Sequence, residues 1–413
     1  MGLTARVDGR ASAEAAAASG WASAPAAERL RVARALVPVV LGWLREGDPA
    51  ALYGALAEMP PDWHPALRRL LTTQGLAPLV ADVAAAGSGP SVERAAASET
   101  AGWLATQLEQ NRARMGAFAE DLGAILAGAA AAGVPVMPLK GGLLAFTRYR
   151  EPGLRPMADL DLLVHAADEP GLHEVLARLG YAPVDAAVAR HRTFGRPGER
   201  VVALDGTHPG NPRTVEVHTR LQKTVWLDRG GVDLAPSLWS HAREDEVLGQ
   251  PAVVPSDAAL LDDLASHATL HLVRGGGMLL HWLDVARVAA GVGSIDEALS
   301  AWTYPALALA ARAFPGRDLS AKVEALEPRV GSALARLAAR APLDDRSGLN
   351  LAGVDINALP WLASHWLRWR PNPWLAGVAY PHLPAPVAYA AYLAGVGVRA
   401  ARKAVQHALR RGG

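Results

Sequence analysis

For its first third the chain spaces its apolar residues as helices do, and at Val134 that spacing gives way to strand patterns. "VPVMPL" (Val134–Leu139) is a short apolar run ending at Lys-Gly-Gly, and "ADLDLLVH" (Ala158–His165) alternates apolar and polar residues as a strand with one buried face does. Helical spacing governs what lies before: "AAERLRVARALVPVVLGWL" (Ala26–Leu44), "PDWHPALRRLLTTQG" (Pro61–Gly75), and 91–133, one long helix or two abutting ones, closed by Gly133. It resumes at about Ser256. Between the two strands lie a helical "LLAFTRYR" and a Pro/Gly loop. A helix, "EPGLHEVLARLG" (Glu169–Gly180), follows them. "RVVALDG" (Arg200–Gly206) and "RTVEVHTRL" (Arg213–Leu221) then read as two strands joined by the turn "THPGNP". The order allows a mixed sheet backed by helices, so the fold class is α+β: a mostly helical protein with a small mixed-sheet core. The expected organisation is a flexible segment over 1–24, a helical domain over 25–133, the α/β core over 134–225 and a C-terminal helical domain over 226–413.

Side chains alternate along a strand, so Asp159 and Asp161 share one face while Leu160 and Leu162 take the other. Two carboxylates about 6–7 Å apart repel unless a positive charge sits between them. Mg²⁺, a hard ion held by one or two carboxylates together with substrate phosphates, is the natural candidate. An isolated Asp-x-Asp is also compatible with a solvated strand face. Gly141 and Gly142 bear on the choice, because they sit where a strand ends and a helix begins. Amides without side chains approach a phosphate closely, the helix start adds free N–H groups, and Lys140 adds a point charge. The segment lacks the Lys-Ser/Thr ending of a P-loop. On the later strand, Thr214, Glu216 and His218 share a face. If that strand lies beside the first, Glu216 completes a three-carboxylate cluster able to hold two Mg²⁺ ions and to accept a proton from an attacking hydroxyl.

These segments resemble the DNA-polymerase-β-like nucleotidyltransferases, and most of all a bacterial group of uncharacterised nucleotidyltransferases. The resemblance rests on Leu139-Lys140-Gly141, Arg155, the run Asp159 to Val164 and Glu216-Val217-His218, in that order, and is strongest over about 134–221. It extends more loosely to "LLDDLASHATLHLV" (Leu260–Val273) and "LLHWLDVARVAA" (Leu279–Ala290), where it implies that His271 and Asp284 line the far wall of the cleft. It implies an NTP substrate, two Mg²⁺ ions, pyrophosphate release and transfer of a nucleoside monophosphate to an acceptor hydroxyl on a small molecule, peptide, protein or RNA. It assigns Asp159, Asp161 and Glu216 to catalysis and metal, and the glycine turn, Gly141 and Gly142, to the triphosphate. Lys140 and Arg155 flank that turn as further nucleotide contacts, and His218 touches substrate or orients a carboxylate. Two features depart from the pattern. Leu143 stands where a Ser or Thr often follows the glycines, and the longer loop "YREPGLR" puts Arg148, Arg150 or Arg155 over the phosphates. Phosphoryl transfer by the same site, and a non-catalytic binding module serving a biosynthetic gene cluster, are the competing readings.

The rest of the chain sets bounds. Lys plus Arg number 41 and Asp plus Glu 40, which argues against a generally basic, nucleic-acid-coating surface. There is no cysteine, which excludes disulfides, thiolate metal sites and a Cys nucleophile. The heavy Ala, Arg and Gly usage suggests a GC-rich bacterial genome. The first twenty residues lack a signal-peptide pattern, and the apolar run at 386–398 is too short for a transmembrane helix, so a cytoplasmic protein is expected. His267 and His271 share a helix face near Asp263, but no Glu follows the first His, so the zinc-protease pattern fails. The Trp-rich stretch 359–374 reads as a helix packed on the core, with a base-stacking or membrane-interface platform as the alternative. The tail over 398–413 reads as a basic amphipathic helix able to meet an acidic partner weakly.

Overall fold

The computed structural model describes residues 26–87, 99–184, 191–203, 207–223, 232–273, 277–293, 299–343, 373–395 and 397–398. The expected flexible start, nearly all of the Trp-rich stretch and the basic tail lie outside these residues. Five helices come first: α1 (Ala26–Glu46), α2 (Pro49–Glu58), α3 (His64–Gln74), α4 (Ala77–Ala85) and α5 (Glu99–Ala131). The glycine stop signals act as read. Gly75 takes φ +69° after α3, and its amide closes on Leu71 and Thr72. Gly133 takes the same φ after α5, where the amides of Gly133 and Val134 close on Ala130 and Ala129. Helix α5 is a single element of 33 residues that buries Leu104, Leu108, Met115, Phe118, Leu122 and Ile125.

The core sheet uses β1 (Met137–Leu139), β2 (Asp159–Leu163), β3 (Ala182–Pro183), β4 (His191–Gly195) and β5 (Thr214–His218), in the order β1-β2-β5-β4-β3. The central β2–β5 pair is parallel and the other pairs are antiparallel, so the sheet is mixed. Helices α6 (Lys140–Thr147) and α7 (Glu169–Arg178) make its connections. Leu160, Leu162, Phe194, Val215 and Val217 turn one face into the main core. Met137, Leu139 and Leu163, at one end of the opposite face, join Leu221, Leu234 and Leu238 in a smaller core. The rest of that opposite face carries the polar residues.

Two differences from the sequence reading have clear causes. The antiparallel neighbour of β5 is β4 and not the segment 200–206, of which 200–203 are described and form no strand. Val201 and Val202 are exposed (40% and 57%), and Asn211 Oδ1 accepts from the amides of Val202 and Ala203 at 3.0 Å each, giving them a partner other than a ladder. An unexpected hairpin, β8 (Ala242–Val247) and β9 (Gln250–Pro255), follows the short pair β6 (Gln222–Lys223) and β7 (Val232–Asp233) and helix α8 (Ala235–Ser240). In "AREDEV" four consecutive charged residues are exposed, so no alternation marks the strand. Its turn, Leu248-Gly249, places both residues at positive φ (56° and 69°), the conformation of a tight hairpin without the usual Asn-Gly signature. The hairpin docks on the sheet through Val253 N–H to the Val136 carbonyl.

Helices α9 (Asp257–Val273), α10 (Leu279–Gly291), α11 (Thr303–Ala313), α12 (Arg317–Leu326), α13 (Ser332–Arg340) and α14 (Pro373–Ala379) complete the described fold. One apolar cluster runs from Val32 to Tyr392, so the expected divisions at 133/134 and 225/226 fall within a shared core. Among the described residues no helix is long and apolar enough to cross a membrane.

Candidate active site

Register brings the polar residues together. Asp161 of β2 lies opposite Glu216 of β5, which lies opposite Thr193 of β4, and His218 lies opposite His191. Paired residues point to the same side, so Asp159, Asp161, Glu216, His218, His191 and Thr193 share one face. Arg114 of α5 anchors the starts of both central strands. Its buried guanidinium donates to the carbonyls of Met157 and Ala158 ahead of β2 and of His208, Asn211 and Pro212 ahead of β5. Asp121, two turns further along α5, accepts from Arg196 after β4 and Arg213 before β5 and so ties these two strands to the helix.

Asp161 is the hub of the face. Its Oδ1 accepts from Lys140 Nζ at 2.6 Å and lies 2.9 Å from His218 Nε2. Lys140 reaches it from the first position of α6, in the left-handed region at φ +45°, a conformation that costs a non-glycine residue about 1 kcal/mol or more. Burial alone would raise the Asp161 carboxyl; the Lys140 ammonium and then the His218 hydrogen bond outweigh it and hold the group well below the usual range. Lys140 is itself held charged: burial opposes the charge, but Asp161 and Asp263 outweigh it. Asp159, which keeps some contact with solvent, goes the other way. Burial, then the charges of Asp161 and Glu216, push its carboxyl above the usual range. Glu216 is raised by burial and by Asp161. Three acids thus crowd each other around one ammonium.

The Gly-Gly turn and the arginines do something the sequence did not announce. A Cβ on Gly141 would lie 2.4 Å from Arg155 Nη1 and 3.0 Å from Met157 Cβ, and one on Gly142 would lie 3.3 Å from Leu160 Cδ2. The space those glycines leave is filled by the protein's own side chains. Arg155, expected over the phosphates, is buried and directs its planar fork onto Asp284, Nε to Oδ1 at 3.2 Å and Nη2 to Oδ2 at 2.7 Å. Tyr149 Oη donates to the same carboxylate at 2.7 Å. The two other loop arginines are also engaged, Arg148 by Asp257 and Arg150 by Asp82. Together they fasten the loop between α6 and β2 to α10, α9 and α4.

Asp284 does reach the site's edge: a cavity of about 30 Å³, room for about one water, is lined by Lys140, Arg155, Leu264, His267, His281 and Asp284. His271 does not line it. It packs instead against His267 and His281, with ring centroids 4.4 and 5.1 Å away. Sequence reading missed His191, Arg114 and His281. The alternation of His191 with Thr193 was the signal available for the first; nothing local marks Arg114, whose partners are 43 to 98 residues away.

The carboxylate oxygens fit a hard divalent cation by their chemistry; burial first, and then the charge of Asp161, raise both Asp159 and Glu216, and a cation between the acids would offset that charge. His191, Glu216 and His218 also offer donor atoms within 4.8 Å of one another. A small mixed sheet with acids gathered on one face beside a Lys-Gly-Gly helix start defines a nucleotidyltransferase-type core. The chain belongs to the uncharacterised nucleotidyltransferase family: the family's model matches residues 60–299, more than half of its length, and so takes in α3 to α5 before the sheet and α9 and α10 after it. No curated protein and no solved structure matches it.

Proposed function

We propose that this face catalyses Mg²⁺-dependent transfer of a nucleoside monophosphate from an NTP to an acceptor hydroxyl, releasing pyrophosphate. The observation that carries the reading is the register of Asp159, Asp161 and Glu216 on one sheet face, in a chain of this family. Asp159, Asp161 and Glu216 would hold two Mg²⁺ ions, which when bound neutralise the triphosphate and the departing pyrophosphate. Lys140 fixes Asp161 in place and adds a positive charge beside it. The amides at the start of α6 would offer free N–H groups to the phosphates. The acceptor oxygen bonds to the α-phosphorus as the bond to the bridging oxygen breaks. Its proton would pass to the third carboxylate, Glu216, which lies beside Asp161 on the same face. His218 orients Asp161, and the Arg155–Asp284 pair positions the loop that carries Met157 and Ala158 into β2.

The test is product analysis with NTPs labelled at the α- and γ-phosphates, combined with a mass-spectrometric search for nucleotide-sized adducts on co-purified RNA, peptide and small molecules. Pyrophosphate together with an α-labelled acceptor supports the reading. A nucleoside diphosphate with γ-label on the acceptor would assign phosphoryl transfer instead, and no turnover with any NTP would return the fold to a binding role.

A further inference from the structure

We infer that His191, Glu216 and His218 form a site for a borderline divalent ion of the Zn²⁺ or Co²⁺ type, at the β4–β5 side of the carboxylate face. This deepens the transferase reading and changes it at one residue, for Glu216 then serves this ion while Asp159 and Asp161 serve Mg²⁺; it rests on that reading only for the link to catalysis. Three observations carry it. Glu216 Oε1 lies 3.5 Å from His191 Nε2, and Oε2 lies 3.6 Å from His218 Nε2. Both separations exceed hydrogen-bond length. They approach the roughly 3.3 Å that separates two donors around a four-coordinate ion with bonds of about 2.0–2.1 Å. The two imidazole centroids are 5.1 Å apart with planes inclined at 49°, against about 5 Å for two imidazoles sharing one such ion. Finally, the donor set is two nitrogens and a carboxylate. Mg²⁺ takes oxygen ligands in near-octahedral geometry, whereas imidazole favours zinc and its neighbours, so the two histidines select against Mg²⁺ at this position.

The site is built into rigid elements. His191 and His218 are cross-strand partners, and Glu216 is two residues from His218 on the same strand. His191 and Glu216 are half-buried and give access, while His218 is buried. His218 Nε2 sits 2.9 Å from Asp161 Oδ1. With an ion on that nitrogen, the orienting of Asp161 would fall to Lys140 in place of His218, since Lys140 Nζ donates to the same oxygen at 2.6 Å.

The experiment titrates the full chain, stripped with chelator and free of nucleotide, with Zn²⁺ and Co²⁺ by calorimetry and visible absorption. We expect one ion per chain at this site, Co²⁺ bands of a four-coordinate nitrogen/oxygen set, and retention in a large excess of Mg²⁺. His191→Ala, on the accessible side of the site, should weaken binding about 100-fold, while Asp159→Asn should leave it largely unchanged even where it abolishes NTP turnover. Absence of binding, equal displacement by Mg²⁺ or unchanged affinity in His191→Ala overturns the assignment. So does loss of the ion in His267→Ala instead, which would move it to the cluster of His267, His271 and His281. Zn²⁺ binding that depends on His191 in a chain showing no NTP turnover would refute the transferase reading and leave this site standing.

Discussion

Replacing Asp159 by Asn should make the metal-free protein more stable at mildly alkaline pH. Asp159 and Asp161 are same-face neighbours on β2, about 6.5 Å apart by strand geometry. Two unit charges at that distance repel by about 2.5 kcal/mol at an effective dielectric of about 20. Lys140, 2.6 Å from Asp161, offsets part of this, and Asp159 keeps some contact with solvent, so a net 1–2 kcal/mol is expected. The pH dependence follows from the direction of the shift. Because burial, Asp161 and Glu216 raise the folded-state pKa of Asp159, the unfolded chain loses this proton first as pH rises. Between about pH 4 and neutrality the unfolded state therefore binds fewer protons than the native state, and the Asp159 contribution falls with rising pH. Glu216, also raised, adds a slope of the same sign. Urea unfolding in chelator at about pH 5 and about pH 8 measures this directly: the wild type should lose stability between the two, and Asp159→Asn should lose less and be the more stable at pH 8. Added Mg²⁺ should reverse that order by binding the native wild type. An Asn variant equal to or less stable than the wild type at pH 8 in chelator would refute the crowded-carboxylate account.

Asp284→Asn keeps the shape but strips the charge from a buried pair, so it should cost about 3–5 kcal/mol in urea unfolding, while Arg155→Met with Asp284→Leu should recover most of it; additive single losses would show that the pair is not coupled. Arg114→Met leaves five backbone carbonyls without their donor and should cost about 3 kcal/mol or more by the same assay; a loss below about 1 kcal/mol would mean that water replaces the guanidinium freely. Mg²⁺ with ATP at about 100 times its dissociation constant should stabilise the wild type by about 2.7 kcal/mol, and Asp161→Asn should shrink the corresponding thermal shift; an unchanged shift at matched saturation would remove Asp161 from the metal.

The parts legible in the sequence are those that repeat with a period. Alternation located β2 and β5 and put Asp159, Asp161 and Glu216 on one side, because parity along a strand fixes the face. Positive-φ glycines marked the ends of α3 and α5. What escaped depends on partners far apart in the chain. β4 was missed because Val201 and Val202, the stronger strand formers, are exposed where Asn211 caps their loop. The loop arginines read as phosphate ligands because a guanidinium fits phosphate and carboxylate equally well; only the fold shows Asp257, Asp82 and Asp284 waiting for them, 68 to 129 residues away in sequence.

The Lys-Gly-Gly turn joins these networks. Lys140, in its left-handed conformation, ties α6 to the carboxylate face through Asp161, and Gly141 lets Arg155 pass on its way to Asp284 of α10. Gly141→Ala tests the second half. The added methyl would meet Arg155 Nη1 at 2.4 Å and the Cβ and sulfur of Met157 at 3.0 Å. A free arginine tip would swing aside at little cost, but this one is fixed by two bonds to Asp284, and Met157 is fixed through its carbonyl to Arg114. Overpacking of this kind costs about 1–3 kcal/mol, weakening the fork adds to it, and the better helix propensity of Ala returns about 1 kcal/mol. A net loss of about 2 kcal/mol is expected in urea unfolding. In an Arg155→Met background, where the methyl meets a flexible apolar chain, the same substitution should cost clearly less. Equal costs in both backgrounds would mean that Gly141 serves the turn itself and not the passage of Arg155.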